Sequence, residues 1–161
     1  MAKIKSSLRA YFINTGTVAS PTWAALGKGI TSLAVDYGAQ TTTETYVNED
    51  AANTSVDSYQ ASAALDITLW DSTTAPAHAY LEGLRDGMKT GADAETEILE
   101  VDLTTTSPYA SFLHSAVVAI GTHTMTGGSP QTLSATVYYN GAPTTGTTVI
   151  TAGVPVFTAT A

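Results

Sequence analysis

Polar and apolar residues alternate with a period of two along much of this chain. In Ile30 to Tyr37, Leu33, Val35 and Tyr37 share one face while Ser32, Ala34 and Asp36 share the other, which predicts a half-buried strand. Thr41 to Val47 has less contrast but is rich in strand-forming residues, and it leads into the polar segment Asn48 to Asn53. The two flanks of that segment are predicted to form a long hairpin. From Val56 to Trp70 the alternation runs on, with Tyr59, Ala61, Ala63, Leu65, Ile67 and Leu69 on one face and Gln60, Ser62, Asp66 and Thr68 on the other. The period then changes. Ala77, Leu81, Leu84 and Met88 follow one another at helical spacing, an apolar stripe on a helix over Ala75 to Lys89, with Pro76 in its first turn and Gly91 just past its end. Period two resumes at Glu97 to Leu103, and three more strands are predicted over Ser111 to Met125, Gln131 to Tyr139 and Thr147 to Phe157. Gly127-Gly128 and Asn140-Gly141 read as the turns between them. Six or seven strands with one helix predict a mainly β fold, a sandwich of two antiparallel sheets with one flanking α-helix, in a single domain over residues 1–161.

Composition narrows the function classes. The chain has 161 residues, no cysteine, and a hydrophobic share of 43% against 12% charged, so it is too apolar for a disordered protein and holds no thiol chemistry. Its longest purely aliphatic run, Ala116 to Ile120, is far too short to cross a bilayer, so no membrane partner is expected. The opening residues lack the long apolar stretch of a secretory leader. A net charge of −8 argues against a reader of nucleic acid that clamps phosphates with Lys and Arg. The charge is also unevenly spread. Four of the six bases are Lys3, Lys5, Arg9 and Lys28, eight acids and no base fall between residues 29 and 84, and no charged side chain occurs from Leu103 to Ala161. Folded surfaces ordinarily intersperse charges of both signs, so a long uncharged stretch points to a surface covered by a partner or kept wet by hydroxyls, of which 29 threonines supply many.

No catalytic arrangement emerges. His78, His114 and His123 match no zinc spacing. His78 and Glu82 could share a helix face as an i, i+4 metal pair, but a polar pair on the solvent side is the expected reading. Asp93, Glu95 and Glu97 imitate the start of a calcium loop, yet its sixth position is Ile98 and its twelfth Thr104. Acid pairs such as Asp66 with Asp71 or Glu100 with Asp102 have no accompanying motif of a glycosidase. Trp23 and Trp70 read either as a sugar-stacking platform or as anchors in a core or interface. No catalytic residue, metal ligand or cofactor is therefore assigned.

Three segments in order resemble the major tail tube proteins of long, non-contractile-tailed bacteriophages. They are Leu26 to Leu33 running into Glu44 to Asp50, the helix of Ala75 to Lys89 leading into Glu97 to Leu103, and Tyr139 to Thr147 followed by Gly153 to Thr158. The resemblance implies that the sandwich joins its sheets between subunits into a large barrel, in six-membered rings stacked into a hollow tube through which genomic DNA passes without specific binding. It also implies further copies of the chain, a tape measure protein, a tail terminator and distal tail or tip proteins as partners, and a place in the virion after synthesis in the host bacterial cytoplasm. Under this reading a basic N-terminal arm over residues 1–12, with Lys3, Lys5 and Arg9, and the acidic loop with Glu49 and Asp50 are candidates for contacts between rings. Glu44, Asp66 and Asp102 are candidates for lining the bore, where a basic wall would bind DNA and an acidic or neutral one lets it slide. The alternative is an immunoglobulin-like adhesion or carbohydrate-binding β-sandwich module.

Overall fold

The computed structural model describes residues 4–48, 50–71 and 73–160, and among these the fold is mainly β, with ten strands and one α-helix. The strands are β1 (Arg9–Asn14), β2 (Trp23–Ala25), β3 (Ile30–Asp36), β4 (Ala39–Glu44), β5 (Asn53–Tyr59), β6 (Ser62–Thr68), β7 (Glu95–Asp102), β8 (Tyr109–Thr124), β9 (Thr132–Thr151) and β10 (Val154–Ala159), and the helix is α1 (Pro76–Asp86). All strand pairing is antiparallel.

Two layers are built from one continuous sheet folded along the long β8–β9 pair. The first half of β8 pairs with β7, which continues through β1 to β2, while the second half of β9 pairs with β10. The second half of β8 and the first half of β9 belong to the other layer, which β9 extends through β6 to β3. The fold line is a bulge. Pairing jumps from Leu113↔Thr144 to Ser115↔Asn140, so Gly141, Ala142 and Pro143 face His114 alone, and Gly141 takes φ +72. An excess of residues on one strand bends the pair and increases its twist.

The main core fills the space between the layers. Ile13 and Ile98 enter it from β1 and β7, Leu65 and Val137 from β6 and β9, and Leu81 and Leu84 from α1. A second cluster of Phe12, Leu99 and Val101 lies on the other face of β1 and β7, closed by Trp23, Leu113 and Phe157 as β10 comes alongside β2. These two strands thus contribute apolar side chains to both clusters, Ile13 and Ile98 to one and Phe12, Leu99 and Val101 to the other.

Several expectations need correcting. The segment expected as a free arm over 1–12 ends in β1, an interior strand from Arg9 onward, with a short 3-10 turn at Ser6–Leu8 before it. The strand expected over Val56 to Trp70 divides at Gln60 and Ala61: among the described residues β5 pairs only with β4, and β6 enters the main sheet. Gly38, at φ +53, makes this division possible, because a Cβ there would stand 2.4 Å from the Gln60 carbonyl oxygen. Asn140-Gly141 is no hairpin turn but lies inside β9; the closing turn is Ala152-Gly153, both at positive φ (51° and 81°) as a tight two-residue turn requires. The helix stops at Asp86, so Met88 leaves the apolar stripe and is 86% exposed. His78, expected on the solvent side, is buried: its Nδ1 accepts the Trp70 N–H at 3.1 Å.

Candidate functional site

The outward face of the layer β3-β6-β9-β8 is smooth and carries no base. Register places Ser32, Asp66 and Ser134 in one row, Ala34, Ala64, Thr136 and Ala119 in the next, and Asp36, Ser62, Tyr138 and Val117 in a third. Apart from Tyr138 and Val117 these are small or hydroxyl-bearing side chains, with two carboxylates. Asp66 is exposed here, as its position on the even face of the strand implied.

Both sides of this layer end in open strand. β3 has seven residues, and among the described residues no strand pairs with its outer side. On the opposite side β7 pairs with β8 only as far as Val117, so among the described residues Val118 to Thr124 have no strand partner on that edge. Neither edge stretch contains a Lys or a Pro, but each carries a bulge, at Thr31 in β3 and at Gly121-Thr122 in β8, and β3 ends on Asp36, so the edges are irregular rather than blocked by a base or a proline.

The β4–β5 ribbon projects from the layer with every residue exposed. Its strands are tied by the Thr42 hydroxyl, which donates to Asp57, and by Thr43 and Thr54, whose hydroxyls lie 3.0 Å apart. At its end the Tyr46 hydroxyl donates to Glu44 at 2.6 Å, which raises the Tyr46 pKa, and Val47 is fully exposed. A lone two-stranded ribbon is marginal in water, so one that buries neither face calls for a covering partner.

At the crease between the layers lies a polar cluster that sequence reasoning did not assemble. The Arg9 guanidinium donates to Glu100 and lies 3.7 Å from Asp102; His114 Nε2 is 3.9 Å from Glu100, and the His114 ring sits 4.6 Å from that of Tyr139. Burial lowers the His114 pKa despite the Glu100 charge, and burial together with Glu100 pushes the Tyr11 phenol up to about 12. Asp102 is held below the usual carboxylate range first by the Thr104 hydroxyl and amide and then by Arg9. A mostly apolar pocket of about 500 Å³ opens over this cluster, between Tyr37, Tyr59 and the Ala142-Pro143 bend.

The candidate residues are therefore distributed unevenly. Arg9 and Asp102, assigned to different surfaces by sequence, meet in one intrachain cluster. Glu44 belongs to the projecting ribbon and Asp66 to the smooth face, so the three acids do not share a face. Lys5 is exposed before the first 3-10 turn, and Asp50 is exposed at the end of the ribbon. Lys3 and Glu49 lie outside the described residues. Lys28 stands over the Trp70 ring at 4.5 Å, while Trp23 is half buried against the second core. Among the described residues no group of three His, Asp or Glu side chains is arranged to hold a metal ion, and no helix is long and apolar enough to cross a membrane.

No family model matches this chain, and no curated protein matches it. Among solved structures it is similar to a chain in the cryo-EM structure of the anti-feeding prophage (AFP) baseplate, 6-fold symmetrised, with 12% identity and a TM-score of 0.47 over 87% of this chain and 93% of that chain.

Proposed function

We propose that this protein is a structural subunit of a phage tail that assembles laterally into rings and axially into a tube. The observation that carries the reading is the pair of open edges on one layer. Each presents seven residues, β3 and Val118 to Thr124. With four strands in the layer, β8 and β3 run in opposite directions, so β3 of a second copy laid beside β8 continues the antiparallel order without reversal. Repeating that step by rotation closes a barrel and leaves no free edge.

The sequence resemblance sets the number of copies at six. At about 4.8 Å between strands and a tilt of about 40°, four strands from each of six copies give a barrel about 45–50 Å across at the backbone. Its inner wall is the face bearing Asp66, Asp36 and the Ser and Thr rows. Such a wall offers no base to trap phosphates by counterion release, so DNA slides. The β4–β5 ribbon, with Glu44 and Asp50, supplies a contact between successive rings, and Lys5 is a further candidate. A tape measure protein, a terminator and tip proteins are the partners such a tube requires.

Sedimentation velocity over a range of concentrations, combined with negative-stain imaging, tests this reading. Rings or tubes are expected. A strictly monomeric chain at every concentration, with a tail-tip initiator present as well as without it, refutes it.

A further inference from the structure

The two open edges carry different flanks on the core side of their layer. Beside β3 runs a groove of about 740 Å³ between residues 4–9 and the strand itself, with Tyr11, Leu26 and Leu33 among its walls. Residues 4–9 hold two bases, Lys5 and Arg9, and no acid. Beside the free half of β8 stands the end of α1, where Met88, Lys89 and Ile120 border a common hollow. From Glu82 to Glu95 this flank holds four acids against two bases.

Met88 is the unusual residue. Its N–H donates to the Arg85 carbonyl at 3.1 Å and the Lys89 N–H to the Leu84 carbonyl at 3.1 Å, the pair of bonds that ends a helix through one left-handed residue. Glycine suits that position best, yet a methionine occupies it at φ +44 and holds its side chain 86% exposed. Within one copy this arrangement spends backbone strain to place an apolar side chain in water. Strain of this kind persists where it serves a site.

We propose that Met88 of one copy inserts into the groove beside β3 of the next and is the apolar anchor of the seam between them. The inference rests on the ring reading and names the contact within it. The occupant is a second copy because edge pairing brings these flanks together on one side of the joined sheet. Residues 4–8 lead into β1, and both β1 and α1 pack on the face opposite Asp66, through Ile13 and Leu81.

Three variants test it. Met88→Gly relieves the left-handed strain, so the monomer should melt at the same temperature or higher, while half-assembly should need about tenfold to a hundredfold more protein, the loss expected when one methionine is no longer buried. Met88→Leu should assemble within about threefold of the wild type, because size and apolarity are kept. The natural chain contains no cysteine, so Ile4→Cys combined with Lys89→Cys, which keeps Met88 in place, treated with a short bis-maleimide, should give a ladder of covalent multimers, whereas each single variant stops at dimers. Rings that form at wild-type concentration in Met88→Gly, or that form without the ladder in the double variant, overturn the anchor and leave the ring reading standing. Absence of rings in the wild type overturns both.

Discussion

Replacing Asn14 by alanine should destabilise the fold by about 2–4 kcal/mol, because one buried amide holds the β1–β2 corner together. Asn14 is 2% exposed at the end of β1. Its Nδ2 donates to the Thr17 carbonyl at 3.2 Å and to Glu97 Oε2 at 3.0 Å, and its Oδ1 accepts from the Gly16 N–H at 2.9 Å and the Thr22 N–H at 3.0 Å. Three of these bonds are between neutral groups and contribute about 0.5–1.5 kcal/mol each; the bond to the Glu97 carboxylate is stronger, and water reaching the exposed turn recovers part of the loss. At about 2–4 °C per kcal/mol for a chain of this size, the melting temperature should fall by about 5–15 °C. Urea unfolding of the monomer followed by tryptophan fluorescence is the assay, since Trp23 pairs with Asn14 across β1 and β2. Asn14→Asp keeps the acceptor but sets a second carboxylate against Glu97, so its deficit should grow as pH rises through the carboxylate range. A loss below about 0.5 kcal/mol for Asn14→Ala, with the denaturant slope unchanged, would refute the assignment of this side chain as the corner's staple.

Two further outcomes follow from the charges. His78 and His114 both have pKa values lowered by burial; for His78 the Lys28 backbone and Glu82 offset this in part, although Nε2 has no partner of hydrogen-bond geometry among the described residues. The unfolded chain therefore binds protons first, so the stability these groups contribute is complete above about pH 6.5 and is lost as pH falls through their folded values, at no more than about 1.4 kcal/mol per pH unit for each. Histidine NMR titrations showing either ring protonating at or above pH 6.5 in the folded protein would contradict this. Asp66→Lys should leave the monomer's stability nearly unchanged, since the residue is exposed, but assembled tubes should then retain duplex DNA at low salt, with retention falling steeply as salt rises. Tubes of the variant that pass DNA as freely as the wild type would show that Asp66 faces away from the bore.

Local pattern alone determined which segments are strands and helix wherever one face is buried. Ala63, Leu65 and Ile67 alternate because β6 has one wet face, and Ala77, Leu81 and Leu84 share a stripe because α1 lies on a layer. The base-poor middle of the chain already argued against a protein that clamps nucleic acid through Lys and Arg. The ends of elements were harder to read, since periodicity continues past the point where hydrogen bonding stops. The stripe runs on to Met88 although the helix ends two residues earlier, and Gly87 was the one signal in the sequence that could have marked that end. Asn140-Gly141 has the composition of a turn, but tertiary pairing of β9 with β6 on one half and β10 on the other makes it a bend inside a strand. Only the assembled sheet decided that Arg9 and Asp102 meet, that β1 and β7 are covered on both faces, and that among the described residues β3 and the end of β8 each keep one edge without a strand partner. These are consequences of which strands lie side by side, and residues far apart in the chain become neighbours through long-range hydrogen bonding that no local window of sequence encodes.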